Sequence, residues 1–412
     1  MAYDVVVVGS GPGGAATAHY LASAGVSVLL LDKFEFPRDK TCGDGLTPRG
    51  LALLDEMGIL GHLQREGYLI NGLEVFSPNG ASTTVGIPRS VGAPDYALCV
   101  PRLTLDNVIR ERALASGAKF EGRVRVLDIE RGAHGVVVRG EHHGRAVSAE
   151  AEMAVLATGA STSLLLQIGI LRRPPPVLLA TRTYFEGVTG LADRFQLHFD
   201  GVPLPGYGWV FPLSDRSANI GAGFFPVGRM THRLPTTSRA AFDAFIQAGS
   251  LRGMLNQARC TNLIKGYPLR ADFLTAPTIG ERVLLVGEAA GLVNPLTGEG
   301  IDYALESGKM AAEHIIRMFA TGDLSQPNFE AYDRLLRQRF QRLFFFCTRM
   351  RDWFINPLVL NRLIFLSNQD AGLKMQLINI VLGNQKPSRI ILLNAILKMA
   401  LSLCSRRQNP VR

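Results

Sequence analysis

The chain has 412 residues, 47% apolar and 19% charged. That is more than one compact core accommodates, so two lobes sharing an interface are expected. A net charge of +9 suits nucleic acid or an anionic membrane surface, and the lack of zinc-finger spacing, RNA-binding aromatics or a basic repeat favours the membrane. Five scattered cysteines with no C-x-x-C pair argue against a disulfide framework, an iron–sulfur cluster or a zinc site, and for reduced thiols in the cytoplasm.

The first strand is expected at residues 5–8, a run of valines suited to burial on both faces of a parallel sheet. The chain enters it at Tyr3, which leaves no signal or transit segment. Gly9, Gly11 and Gly14 then form G-x-G-x-x-G at the entry to a helix over 15–24. The first permits a tight turn, the second lets backbone approach a pyrophosphate, and the third lets helix pack on strand. A second buried strand, 26–31, ends at Asp32, where an acid takes ribose hydroxyls, with Lys33 beside it. Strand, glycine turn, helix, strand and acid in register mark a dinucleotide site.

The stretch Thr41-Cys42-Gly43-Asp44-Gly45-Leu46-Thr47-Pro48-Arg49 follows. A helix is expected over 51–60, and strands within 71–85 around the turn Ser77-Pro78-Asn79-Gly80. Pro101-Arg102 leads into a helix with Leu105, Val108, Ile109 and Ala113 on its apolar side. Segments 122–129, 135–139 and 145–149 read as an antiparallel meander, with His142 and His143 at a solvated hairpin tip. The meander feeds 153–157 and Thr158-Gly159-Ala160, which returns the chain to the first sheet. Pro174-Pro175-Pro176 marks a boundary. Strands at 178–185, 194–199, 207–212 and 218–224, with a helix over 238–248, form an antiparallel lobe. A buried strand at 283–286 closes on Gly287-Glu288, and Asn294 to Ile301 opens a helix whose Gly-rich entry offers backbone N–H groups. The remainder reads as helical.

The expected architecture is therefore α/β, with a Rossmann-like domain interrupted by a β-meander. Residues 1–75, 100–172 and 277–320 make that domain; 76–99 and 173–276 make an antiparallel substrate domain; 321–412 form a helical C-terminal region. Stretches 353–366 and 390–404 are apolar, broken by Arg362 and Lys398, with Arg389, Arg406 and Arg407 flanking the second. Such helices lie in a membrane interface, cap a lipid-sized tunnel, or simply bury against the catalytic lobe. No apolar run reaches the ~18 residues needed to span a bilayer.

Over residues 1–315 the chain resembles the flavin-dependent geranylgeranyl reductases, within the group that shares the p-hydroxybenzoate hydroxylase fold. The resemblance rests on Gly9–Gly14 with Asp32, the 42–49 stretch, Pro101-Arg102 with Asp106, Tyr207-x-Trp209-x-Phe211-Pro212, and the segment from Gly287 to Ile301. It implies FAD as cofactor. Gly9, Gly11, Gly14, Asp32 and Lys33 would hold the adenosine and diphosphate part, and Val126 would border the adenine. Arg102 would contact the phosphate–ribityl part; Cys42, Gly43, Gly45 and Gly159 would lie along the cofactor. Gly300 and Ile301 would present N–H groups to the flavin ring. The group usually has Gly-Asp where this chain has Gly287-Glu288, so Glu288 would reach the ribityl chain with one extra methylene. The quinone-side-chain reductases of this family carry a similar G-D-G-L-T-P-R.

The implied reaction is saturation of an isolated prenyl double bond, which needs a hydride and a proton while positive charge develops at a tertiary carbon. The substrate would be a geranylgeranyl-type lipid or diphosphate, or a prenylated quinone. Tyr207 and Trp209, alternating on one strand with Phe211, would offer aromatic faces to that charge; the plain alternative is that they are core of the second sheet. Cys42, a thiol mostly protonated at neutral pH, would hold the proton, or else is a small buried apolar residue. Asp44 is a second candidate acid or only a turn residue. Two rivals remain: a flavin monooxygenase or halogenase on the same fold, and a flavin-bound lipid carrier without turnover. Halogenases carry W-x-W-x-I-P where this chain has Tyr207 to Pro212. The electron donor, NAD(P)H or ferredoxin, and the oligomeric state are open in the sequence.

Overall fold

The computed structural model describes residues 3–225 and 237–382. Strand β1 (Tyr3–Val8) buries all four of its valines because it lies between two parallel neighbours. Helix α1 (Pro12–Ser23) starts at Gly11 with Pro12 in its first turn, where a missing N–H costs nothing. Strand β2 (Val28–Leu31) pairs with β1. Helix α2 (Pro48–Glu56) is capped by the Thr47 hydroxyl, which accepts from the Gly50 N–H, and α3 (Arg102–Ala115) buries Leu105, Ile109 and Ala113. The helix expected over 51–60 is thus two helices, α2 and a turn-separated one at Leu60–Glu66.

Strand β3 (Arg145–Leu156) pairs with β1 on its other side. The break expected between 149 and 153 is absent. One strand serves as the last arm of the meander, with Val124–Gly132 and Gly135–His142, and then as an interior parallel strand. Its exposure changes accordingly, from alternating in the first half to fully buried over 153–156.

The second sheet contains β4 (Leu178–Glu186), β5 (Arg194–His198), β6 (Gly206–Pro212) and β7 (Ser217–Phe224). Its spatial order is β4-β7-β6-β5, extended by Gly72–Phe76 and Ser82–Gly86. Gly72–Phe76 pairs in parallel with β5. By sheet membership, then, the domain boundary drawn at 75/76 cuts a strand of the second lobe and belongs before Gly72.

Strand β8 (Val283–Leu285) returns to the first sheet beside β3. Helix α4 (Ile301–Thr321) packs on α1, where the Thr17 hydroxyl reaches the carbonyl oxygens of Gly13 (2.8 Å) and Gly308 (3.2 Å). Helix α5 (Gln326–Phe354) buries Phe329, Tyr332, Leu336, Phe340 and Phe344 in the core of the first sheet. The apolar stretch 353–366 is not one helix: α5 ends, and α6 (Pro357–Ser367) begins after Asn356, whose side chain accepts the Val359 N–H (3.1 Å) and donates to the Trp353 carbonyl (3.1 Å). Helix α7 (Ala371–Val381) follows. The expected apolar stretch 390–404 lies outside the described residues. No helix among the described residues is long and apolar enough to cross a membrane.

Candidate functional site

The ends of β1 and β2, the loop after β3, strand β6 and the end of α7 surround one cavity of about 850 Å³. At its nucleotide end Gly9 has φ +104°, and a Cβ on Gly14 would overlap the Gly9 carbonyl oxygen. The turn therefore closes only on glycine at both places. Gly11 borders the cavity at the N-terminus of α1. Arg38 borders it too, and its Nε has no hydrogen-bond partner. A turn free of side chains, a helix N-terminus and a guanidinium with a spare donor fit a diphosphate. Asp32 is buried and accepts the N–H groups of Ser10 (2.7 Å) and Phe34 (2.9 Å), one per oxygen. Each oxygen keeps a second lone pair for a sugar hydroxyl. Lys33, Val126 and Gly159 line the same cavity. These residues fit the dinucleotide that the glycine turn implied.

Arg102, the first residue of α3, is buried and makes two bonds to Asp106 (2.6 and 2.7 Å), which also pairs with Arg38 (3.0 Å). Burial opposes its charge, but the Asp106 carboxylate holds the guanidinium protonated, above its ordinary range. Arg102 lines the cavity, as does Glu288. Glu288 accepts the Arg270 N–H (3.1 Å) and lies 3.4 Å from Lys40 Nζ.

Cys42 is half-buried, and its open side lines the cavity. Burial raises its thiol pKa against the pull of the Arg102 guanidinium, so the thiol stays protonated at neutral pH. Gly43 and Gly45 lie against the Phe211 ring. Between them Asp44, at φ +67° and fully buried, accepts from the Tyr184 hydroxyl (2.8 Å) and the Asn219 amide (2.7 Å). Burial pushes its carboxyl up to about 6 despite these bonds. The same Asn219 amide donates to the Cys42 carbonyl (2.7 Å) and accepts from Trp209 Nε1 (3.0 Å). Tyr207, Trp209 and Phe211 line the cavity in sequence, with ring centroids 6.1 and 6.4 Å apart. The Tyr207 hydroxyl donates to the Thr297 carbonyl.

The second half of the 42–49 stretch holds α4, with Thr47 still bordering the cavity. Thr47 donates to Asp302, and Arg49 pairs with Glu306. The Ile301 N–H, expected to face a flavin ring, is hydrogen-bonded within its own loop. Glu299, two residues earlier, accepts it (2.6 Å) together with the Asp302 N–H (3.1 Å), as an acid before a helix does. Gly300 and Ile301 still line the cavity. Burial next to Asp302 holds the Glu299 carboxyl towards its protonated form.

The sequence reading missed Asn219, Tyr184, Glu299 and Asp302. Only Glu299 and Asp302 carried a local signal, as acids flanking Gly300-Ile301 at the start of a helical segment.

Residues 2–175 match the FAD binding domain family. The chain is 35% identical over 334 residues to a menaquinone reductase of Mycobacterium tuberculosis, covering 75% of this chain and 76% of that one. It is 30% identical over 362 residues to a digeranylgeranylglycerophospholipid reductase of Methanopyrus kandleri, covering 84% and 88%. Among solved structures, a geranylgeranyl bacteriochlorophyll reductase-like protein of Thermoplasma acidophilum superposes with a TM-score of 0.75 at 22% identity, over 96% of this chain and 95% of that one. A flavin-dependent brominase superposes with a TM-score of 0.76 at 19% identity, over 98% and 99%, so the fold alone is shared with halogenases. With its dinucleotide cradle, its 42–49 stretch and these relatives, the chain belongs to the geranylgeranyl reductase family of FAD-dependent oxidoreductases.

Proposed function

We propose that this flavoenzyme saturates isolated C=C bonds in the prenyl chain of a quinone or a geranylgeranyl-type lipid, with the prenylated quinone as the first substrate to test. The observation that carries this reading is the position of Cys42: its thiol opens onto the same cavity as the Tyr207–Trp209–Phe211 stripe and the dinucleotide cradle. Reduced FAD, when bound, supplies the hydride equivalent. Gly9, Gly11, Gly14, Asp32, Lys33 and Val126 would hold its adenosine and diphosphate part, and Arg102, Gly159, Glu288, Gly300 and Ile301 the remainder. The aromatic stripe excludes water and turns π-faces toward the tertiary carbon where positive charge develops. Cys42 holds the proton at Sγ, since burial keeps the thiol neutral. Asn219 and Asp44 fix the loop that aims it.

A prenyl substrate also implies peripheral contact with the cytoplasmic face of a membrane. NAD(P)H or ferredoxin is the proposed source of electrons, and the assay below does not depend on which. The purified protein is reduced anaerobically with dithionite and mixed with menaquinone or geranylgeranyl diphosphate. Flavin reoxidation with a product that stays about two daltons heavier per bond after air has returned the quinone ring to its oxidised form is the expected result, two hydrogens having been added to the side chain. If the flavin stays reduced until oxygen is admitted and the product gains an oxygen atom, the protein is a monooxygenase instead.

A further inference from the structure

Cys42 sits in a loop whose residues from Arg38 to Gly43 all border the cavity. One face of β4 holds that loop. Leu178, Ala180, Arg182 and Tyr184 alternate along the strand and so point the same way. The first two line the cavity, and the other two bond to the loop. Arg182 has no solvent exposure. Its Nη2 donates to the Asp39 carboxylate (2.6 Å) and to the Lys40 carbonyl (3.0 Å), while Nε and Nη1 have no hydrogen-bond partner among the described residues. The guanidinium lies 4.4 Å from the centre of the Tyr184 ring, whose hydroxyl donates to Asp44 (2.8 Å). One strand therefore grips the loop on both sides of Cys42.

The other oxygen of Asp39 accepts Lys265 Nζ (2.8 Å), from the strand Lys265–Leu269 that pairs with β4. Burial opposes the Asp39 charge, but hydrogen bonds from Lys265 and Arg182 keep the carboxyl below its usual range. A guanidinium sealed from water cannot shed its charge, so pulling Asp39 away from Arg182 is costly. Arg182 is not among the residues that border the cavity, so it acts on the loop and not on a ligand. We infer that Arg182, acting through Asp39, is a positioning residue that fixes the loop and with it the direction of the Cys42 thiol. This inference rests on the reading of Cys42 as the group that holds the proton for prenyl reduction.

The test compares the full-length, FAD-loaded parent with Asp39→Asn, Arg182→Lys and the double variant Asp39→Asn/Arg182→Met. FAD content and melting temperature are measured, with kcat and KM for menaquinone and the rate at which iodoacetamide alkylates Cys42, followed on its peptide by mass. Each single variant should alkylate about tenfold faster, because a loosened loop opens the thiol and relieves the burial that keeps it neutral. Its kcat should fall about 30-fold with little change in KM. The double variant leaves no buried charge unpaired, so its melting temperature should return toward the parent's. Its kcat and its Cys42 protection should not return. Glu186→Gln, at an exposed ion pair with Arg259 at the end of the same strand, should match the parent throughout. Lys265→Gln guards against loss of folding, since it frees one Asp39 oxygen and leaves the buried bond; its alkylation rate should rise about threefold. The inference fails if these variants protect Cys42 as the parent does. It also fails if the double variant regains kcat together with stability, which would make the pair a matter of fold alone. Loss of Cys42 protection in variants of a parent that reduces no prenyl chain would leave the positioning standing and overturn the proposed function.

Discussion

At Asn219 one buried amide serves a tryptophan ring, a backbone carbonyl and a carboxylate that lie 10, 177 and 175 residues away in the chain. Asn219→Ala removes the partner of Trp209 Nε1 and of the Cys42 carbonyl and leaves Asp44 with the Tyr184 hydroxyl, and each buried polar group left unpaired costs of order 1–3 kcal/mol. A loss of about 3 kcal/mol in urea unfolding is therefore expected, together with weakened FAD retention. Cys42 tests differently because it is only half-buried and lines the cavity. Cys42→Ser should keep the fold and the FAD but slow prenyl reduction ~100-fold, since a serine hydroxyl gives up its proton far less readily. Unchanged turnover in that variant would return Cys42 to the status of a packing residue. Asp44 adds a pH signature. Its folded pKa, about 6, is raised above the unfolded carboxylate by burial, so the native state binds the extra proton. Its stabilising contribution is complete below about pH 4 and is lost as pH rises through 6. Relative to Asp44→Asn, the parent should lose about 3 kcal/mol across that window and then run level. A constant difference from pH 4 to 8 would show that Asp44 does not titrate there.

Among the elements, β6 and β7 show what a sequence discloses and what it hides. The alternation Tyr207, Trp209, Phe211 was legible as a one-sided stripe because strand periodicity is local. Gly221 was not, since its meaning depends on register: it stands opposite Trp209, and a Cβ there would overlap the indole. Gly221→Ala should tilt the ring and strain its bond to Asn219. The chain has two tryptophans, so in a Trp353→Phe background the emission reports Trp209 alone. A red-shifted emission and a slower reductase are expected, whereas an unchanged spectrum would mean that the strand accommodates the methyl. The same limit explains the other departures. The glycine turn, Asp32 and the two buried strands announce themselves within thirty residues. Pairing of Gly72–Phe76 with β5 joins segments 122 residues apart, so no local pattern marks it. The role of Glu299 was hidden for a smaller reason: the Gly-rich entry reads as offering N–H groups, and Glu299 within it accepts two of them.

For the whole molecule, the cavity is the meeting place of two cores that share few side chains. Its walls come from the first sheet through Val8, Leu31 and Ala157, and from the second through Leu73, Phe195, Leu197 and the β6 stripe. The first core runs from β1 through α5, and the second-lobe clusters are separate from it. A cofactor lying in that cavity touches both, so its binding free energy adds to the stability of the pair as a unit. With free FAD at about 1,000 times its dissociation constant, linkage contributes about 4 kcal/mol. Heating the protein in rising FAD concentrations should therefore move a single transition upward, roughly linearly with the logarithm of concentration. Stripped of FAD, the second lobe keeps its own core but loses what the cofactor adds across the cavity. Its transition should come first, seen in the Trp353→Phe background as an early change in Trp209 emission ahead of the loss of helical signal from α1, α4 and α5. If both signals instead change together in the FAD-free protein, the two lobes hold each other through protein contacts alone. The cavity would then be a preformed receptacle whose shape owes nothing to its cofactor.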